Sequence, residues 1–409
     1  MSGTRFALDT EKVDDRLKYV EWLREASVSG KSLANIVLDI ARLSWGEGRL
    51  RASEYFLYQL YDDKRFPPEA KRTFLGIDRV GQLLSALEMP WPELAKDKPT
   101  ITALLRGYDL PIPETQAIRH NDRTFPGAKT LHNANDVKRF LRDEASYPIF
   151  TKPTNSRCSL GVANLERYDR TKNCVITKHG RSVPVGEFTE QVEQFAPGGY
   201  LFQTRLEPHA KIAEQVGDQL STVRMFVLVD DGGATLLRAS WKIPSGESEA
   251  DNFWRSGNML GGIDVDTGRV IRVLRRVNDR TVAVDRHPKT GTDFTDLLFP
   301  EWVQMRDVVM RAAAAFPTCH FQGWDVALTD RGPVLVELEG DGGDPIMEQL
   351  CFNSGLLQGR YLNFAKKAME KQKKKKKRER DVMRQRQRAN FSQLKASDPT
   401  PTVHTSNQN

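Results

Sequence analysis

The sequence predicts an α+β chain built on largely antiparallel sheets. Pairs of apolar runs joined by turn-forming residues recur along its second half, and helical spacing separates them without the regular alternation of a doubly wound fold. The clearest pair is 324–339 (WDVALTDRGPVLVELE), with Thr329-Asp330-Arg331-Gly332 as its turn. A turn centred on Arg331 sets Asp325 opposite Glu337 and Val326 opposite Val336. Alternation then gives one apolar face: Trp324, Val326, Leu328, Val334, Val336 and Leu338. Asp325, Glu337 and Glu339 share the other face with Ala327 and Leu335. Like charges opposite one another destabilise a sheet. Three carboxylates so placed call for a cation, and hard oxygen donors suit Mg²⁺ or Mn²⁺. A hairpin whose acids simply face water is the alternative.

A length of 409 residues allows two or three structural units with a real core. No apolar run approaches the roughly 18 residues of a membrane-crossing helix. Residues 1–16 hold no apolar stretch fit for a signal peptide. Cys158, Cys174, Cys319 and Cys351 have neither CxxC spacing nor disulfide density, so they are expected to be reduced thiols in a cytoplasmic protein. The net charge of +7 is local. Residues 366–388 carry thirteen lysines and arginines against three acids, a balance of +10 that leaves −3 for the rest of the chain.

Taken in order, residues 1–95 predict a helical region. Val13, Leu17, Val20 and Leu23 recur at helical spacing, as do Ile77, Val80, Leu84 and Leu87. Between them lies the aromatic segment EYFLYQLY (54–61), and Pro67-Pro68 starts the next helix. Residues 96–146 predict a small α/β unit, with a helix from Lys98-Pro99 to Leu105 and another over 135–141. Residues 147–365 form the main unit. Within it Ile149, Phe150 and Thr151 make a strand ending at Lys152-Pro153, followed by a small, polar loop closing on Gly161. Such a loop can turn backbone N–H groups toward a phosphate while the lysine supplies charge, although the Walker pattern is absent. A strand with a polar break at Gln203 follows, then strands over 222–229 and 234–241 joined by Asp230-Asp231-Gly232-Gly233, which carry Arg224 and Lys242. Another hairpin passes through Asp266-Thr267-Gly268-Arg269, a helix spans 302–316, and the loop 340–345 is glycine-rich. From Lys366 to the end the chain predicts a basic tail, which can extend the last helix but is expected to be largely disordered, suited to an anionic membrane surface, acidic polysaccharide or nucleic acid.

The order of these elements resembles the ATP-grasp superfamily. The finer matches resemble its sugar-transfer-associated group: EYFLYQLY, Asp97-Lys98, FTKP, the 203–209 segment, STVRMFVL, Asp251-Asn252, Gly261-Gly262 and GWDVALTDRGPVLVE. The resemblance covers residues 50–360. It implies two α+β subdomains clamping ATP, with Lys98, Lys152, Ser159 and Gly161 toward the phosphates. It places Gln203 and Leu206 in the hinge that meets adenine. Asp325, Glu337 and Glu339 become ligands of Mg²⁺ (or Mn²⁺), and Arg224, Lys242 and Asn252 lie at the transferred phosphate. The implied activity is a carboxylate-amine ligase forming an acylphosphate, linked to polysaccharide or sugar-conjugate synthesis, with a small-molecule or sugar-conjugate substrate. A kinase acting on a hydroxyl and a non-catalytic nucleotide- or nucleic-acid-binding protein are the alternatives. Two departures stand out: the phosphate loop is poor in glycine, and Glu339 occupies the position where relatives usually carry asparagine.

Overall fold

The computed structural model describes residues 19–396, apart from 88, 90, 156–159, 245–250, 256, 278, 279 and 344. Two seven-stranded sheets organise it. The first holds β1 (Thr115–Arg119), β2 (Lys129–Leu131), β3 (Ile149–Pro153), β4 (Ala163–Asp169), β5 (Cys174–Thr177), β6 (Ser182–Pro184) and β7 (Tyr200–Thr204), in the order β2-β1-β7-β3-β4-β5-β6. The second holds β8 (Thr222–Asp230), β9 (Gly233–Ile243), β10 (Met259–Ile263), β11 (Val270–Val277), β12 (Arg280–Ala283), β13 (Phe321–Thr329) and β14 (Gly332–Glu339), in the order β12-β11-β10-β9-β8-β13-β14. The pair β1–β2 is parallel and the other described strand pairs are antiparallel, as the hairpins predict.

The second sheet is covered on both faces, which explains why β8 reads as a nearly unbroken apolar run. Its odd-numbered residues Val223, Met225, Val227 and Val229 join a core completed by the helix Trp302–Ala314. Phe226 and Leu228 face the other way, into a core shared with Leu75, Val80, Leu83 and the helix Gly359–Ala396. The expected N-terminal helices are present, including Ile77–Leu87, and the aromatic segment supplies core: Tyr55, Phe56, Tyr58 and Leu60 are buried against Phe253, Leu260, Leu274 and Met347. Of the earliest helical spacing, Val20 and Leu23 lie on the helix Tyr19–Val28, while Val13 and Leu17, in residues 1–18, lie outside the described residues.

The β13–β14 hairpin corrects one expectation. Thr329 pairs with Gly332, so the turn is the two residues Asp330-Arg331 rather than one centred on Arg331. A bulge between Asp325 and Val326 then restores the pairing of Asp325 with Glu337 while setting Val326 opposite Leu335, not Val336. Leu335 therefore joins the core with Trp324, Val326, Leu328 and Leu338, and Val336 is only half-buried. The acidic face survives because the extra residue falls between the turn and the acids.

The C-terminal segment departs further. The helix Gly359–Ala396 continues through the lysine run where disorder is expected, and residues 373–387 are exposed along it. Lysine, arginine, glutamate and glutamine are strong helix formers, and a helix already anchored by Tyr361, Ala365 and Ala368 needs no new nucleus to extend.

Candidate active site

Arg224, Thr222 and Lys242 lie on the face of the second sheet whose middle is covered by the N-terminal and C-terminal helices. Register brings their charges together at the end of that face. β13 lies between β8 and β14, so Asp325 has Arg224 on one side and Glu337 on the other. Lys242 on β9 is opposite Thr222, one side-chain step along the same face from Arg224. The result is a buried ionic lattice. Arg224 donates from Nε and Nη2 to the two Asp325 oxygens at 2.5 and 3.1 Å, and from Nη1 and Nη2 to the Glu339 oxygens at 2.8 and 2.9 Å. Lys242 donates to Asp325 at 2.8 Å.

Burial alone would push the Asp325 carboxyl up, but the charges of Arg224 and Lys242 outweigh it and hold the group well below the usual carboxylate range. Arg224 is likewise raised against the effect of its burial, by Asp325 and then Glu339. Glu339 itself is shifted up, because desolvation exceeds the help it receives from Arg224. Lys242, also raised against burial, feels Asp325 first and Asp251 second.

Two lysines arrive from outside this sheet. Asp97 caps the helix Lys98–Gly107, accepting from the Thr100 N–H at 2.9 Å, and Arg123 pairs with its other oxygen at 2.5 Å. That fixes the helix start, from which Lys98 reaches Glu337 at 3.0 Å. Lys152, near the end of β3 in the first sheet, is 7% exposed. Burial lowers its ammonium to about 8; Glu337 opposes the shift, and Lys98 adds to it. Seven of the expected site residues thus converge between the two sheets: Lys98, Lys152, Arg224, Lys242, Asp325, Glu337 and Glu339.

Asn252 does not join them. Its side-chain oxygen accepts from the Trp254 N–H at 2.9 Å, and its carbonyl accepts from the Arg255 N–H and the Asn258 amide, so it shapes its own loop. Its neighbour Asp251 is the residue that faces the lattice. It accepts from the Thr222 N–H and hydroxyl at 2.7 and 2.6 Å, and its charge acts on Lys242. The Asp-Asn pair marks the place, but only the loop geometry says which member turns inward.

Gly161 closes the loop after β3. Its carbonyl accepts from the buried Tyr200 hydroxyl at 2.8 Å, its φ is +79°, and a Cβ there would stand 2.6 Å from the Phe195 ring. Ser159 lies outside the described residues. Gln203 is buried on β7 and donates to the Thr115 hydroxyl at 3.1 Å. Past Thr204 the chain runs through half-buried Leu206 to the second sheet, where Pro208 bridges to Thr329 and the His209 N–H donates to the Leu328 carbonyl at 3.0 Å. The 203–206 segment is therefore the crossover between the sheets. His209 caps the helix Ala210–Val216 through Nδ1, accepting from the Lys211 N–H at 3.2 Å.

The three acids supply the hard oxygens that Mg²⁺ or Mn²⁺ prefers. Their present partners are cations of the chain, and among the described residues no three acidic, histidine or cysteine side chains are arranged around a metal position. A metal held here replaces part of that positive charge. Glu337, in contact with Lys98 and within reach of the charge of Lys152, would yield most readily; Asp325, held on both oxygens by Arg224 and also by Lys242, would yield least.

Residues 91–363 match the profile of a family described as sugar-transfer associated ATP-grasp. No curated protein sequence matches the chain. Among solved structures it is similar to the ATP-grasp ligase PsnB complexed with minimal precursor, at 14% identity over 69% of this chain and 62% of that one, with a TM-score of 0.35. It is also similar to D-alanine–D-alanine ligase from Bacillus anthracis, at 10% identity over 69% and 70% (TM-score 0.35). L-amino acid ligase from Bacillus licheniformis gives 14% identity over 74% and 59% (TM-score 0.36). The chain spans less than two thirds of the length of the first and third.

Proposed function

The chain belongs to the sugar-transfer-associated ATP-grasp family, and from that premise we propose that it is an ATP- and Mg²⁺-dependent ligase acting on a substrate carboxylate. The observation that carries the proposal is the meeting of Lys98 and Lys152 with Glu337, Asp325, Arg224 and Lys242 between the two sheets. Phosphoryl transfer needs position and charge neutralisation more than covalent help. Lys98 and Lys152 would hold the nucleotide phosphates, with Gly161 at the base of the covering loop and Ser159 within it. The Gln203–Leu206 crossover would meet adenine. Asp325 and Glu337, with Glu339 behind Arg224, would hold the metal, which supplies charge neutralisation on phosphate oxygens. Arg224 and Lys242 would face the transferred group, and Asp251, rather than Asn252, would steady Lys242.

In the proposed reaction a carboxylate oxygen of the substrate attacks the γ-phosphorus and ADP leaves. An amine then attacks the acyl carbon of the acylphosphate and releases phosphate. We assign this chemistry to residues 147–365, with 96–146 supplying Lys98 and a sugar conjugate or small acid as substrate. The test is ATP consumption against a panel of amino acids, uronic acids and sugar nucleotides, with hydroxylamine present. Hydroxamate formation supports the ligase. A phosphorylated hydroxyl without hydroxamate makes the protein a kinase, and no nucleotide turnover with any substrate makes it a binding protein.

A further inference from the structure

A second concentration of positive charge lies far along the same sheet, and the active-site proposal leaves it unused. β11 is four strand steps from β13, roughly 19 Å at about 4.8 Å per step. Arg272 on β11 is paired with Gly262 on β10. That glycine lets the helix Pro345–Phe352 approach, since a Cβ there would stand 3.0 Å from the Cys351 carbonyl. Arg272 thereby enters a cleft it shares with Gln59, Arg65, Thr281 and Asn353.

Its Nη1 is buried and makes no hydrogen bond. Arg65, lining the same cleft, donates to the Gln59 amide oxygen at 2.9 Å, and its guanidinium lies 5.0 Å from the Phe66 ring centre. Burial, and then the like charge of Arg65, push Arg272 down to about 10; Cys351 acts in the other direction, and no carboxylate among the described residues does. The carboxyl end of the helix Pro345–Phe352 is close enough to favour a cation, yet no carbonyl accepts from Nη1. Asp62 offsets part of the effect of burial on Arg65, but no acid does so for Arg272 among the described residues, and holding its charge there is unfavourable unless something else neutralises it.

We propose that this cleft is an oxyanion site, separate from the candidate active site, which takes a phosphoryl or carboxylate group between Arg65 and Arg272. The planar guanidinium groups suit the oxygens of such a group, and Thr281 and Asn353 line the same cleft. The enclosed space is small, about 10 Å³, so the cleft admits one oxygen of such a group between the arginines while the rest of the group stays at the mouth, which is partly open to solvent.

The test is isothermal titration of the full chain with sodium phosphate and with sodium acetate, each against sodium chloride at matched ionic strength. Saturable binding of phosphate or acetate is expected, and the preferred anion identifies the group. Arg272→Gln and Arg65→Gln should each weaken it at least tenfold, while Lys172→Gln, which removes an exposed cation from the turn between β4 and β5, leaves it unchanged. If Arg272→Gln fails to fold, the Arg65→Gln result decides alone. Absence of saturable binding, undiminished binding in the arginine variants, or an equal loss in Lys172→Gln overturns the proposal.

Discussion

Arg224 and Asp325 are register partners on adjacent strands, and the guanidinium of one donates to both carboxylate oxygens of the other at 2.5 and 3.1 Å. The pair is buried, so its members cannot be removed singly without leaving charge behind. Asp325→Asn leaves Arg224 and Lys242 facing a neutral amide, and breaking a buried pair this way costs about 3–5 kcal/mol. Glu337→Gln breaks one contact, with Lys98 at 3.0 Å, on a side chain 30% exposed, and removes a charge that supports Lys152 from farther away. The expected outcome is that both substitutions abolish Mg²⁺-dependent ATP turnover, while urea unfolding shows a large stability loss only for Asp325→Asn. Full turnover in Glu337→Gln would refute the metal assignment.

With Lys152 on the nucleotide phosphates, as proposed, nucleotide binding should depend on pH. The lysine's folded value is lowered from 10.5 to about 8 by burial, so the free protein loses this charge as pH rises through 8. Bound phosphate restores the proton, and ATP affinity should therefore fall above pH 8 by up to about tenfold per pH unit. Stability moves the other way. Between about 8 and 10.5 the unfolded chain binds the proton that the folded chain has released, so this residue's contribution to stability rises with pH across that window. Lys152→Arg keeps its charge and should flatten the affinity profile between pH 7.5 and 9.5; an unchanged profile would assign the dependence elsewhere.

The sequence made the acidic hairpin legible because alternation is a strict period of two, and both carboxylate positions follow from it. The bulge beside Asp325 was not legible, since one extra residue in the run Val334-Leu335-Val336 leaves no compositional mark. Lys98 and Lys152 were marked by the prolines that follow them and by their place in the family pattern. Asp251 was hidden behind Asn252, because both residue types cap loops and only packing chose between them. Long-range partners were invisible for a simpler reason: nothing in residues 54–76 names the side chain, hundreds of positions away, that completes their hydrogen bonds.

That side chain is Gln349, fully buried on the helix Pro345–Phe352. Its oxygen accepts from the Leu75 and Leu356 N–H groups at 2.7 and 3.1 Å, and its nitrogen donates to the Leu75 carbonyl and the Tyr58 hydroxyl at 2.8 and 2.9 Å. Gln349→Leu preserves volume and strips these buried groups of their partner. At about 1–3 kcal/mol for each orphaned group, a loss on the order of 4 kcal/mol is expected. Chemical denaturation measures it, and proteolysis should begin in the N-terminal helices. A loss under about 1 kcal/mol would mean that water or the relaxed backbone replaces the amide.

The C-terminal helix allows a sharper cut than composition does. Charge places the boundary of the basic segment at Lys366, but Ala365 and Ala368 are buried, with Met369 packed beside them against the core that holds Phe226 and Phe321. A chain ending at Ala365 therefore loses Ala368 and Met369, and about 1–3 kcal/mol of burial with them. A chain ending at Glu370 keeps those contacts while shedding the exposed run 373–387. The expected result is unchanged thermal stability and ATP turnover for the longer truncation product and lowered stability for the shorter one. Retention on an anionic resin, compared at low and high salt, should fall equally in both, because the lysine run is missing from each. If the Glu370 product also lost stability or turnover, the exposed helix would be part of the folded core's support rather than an appendage to it.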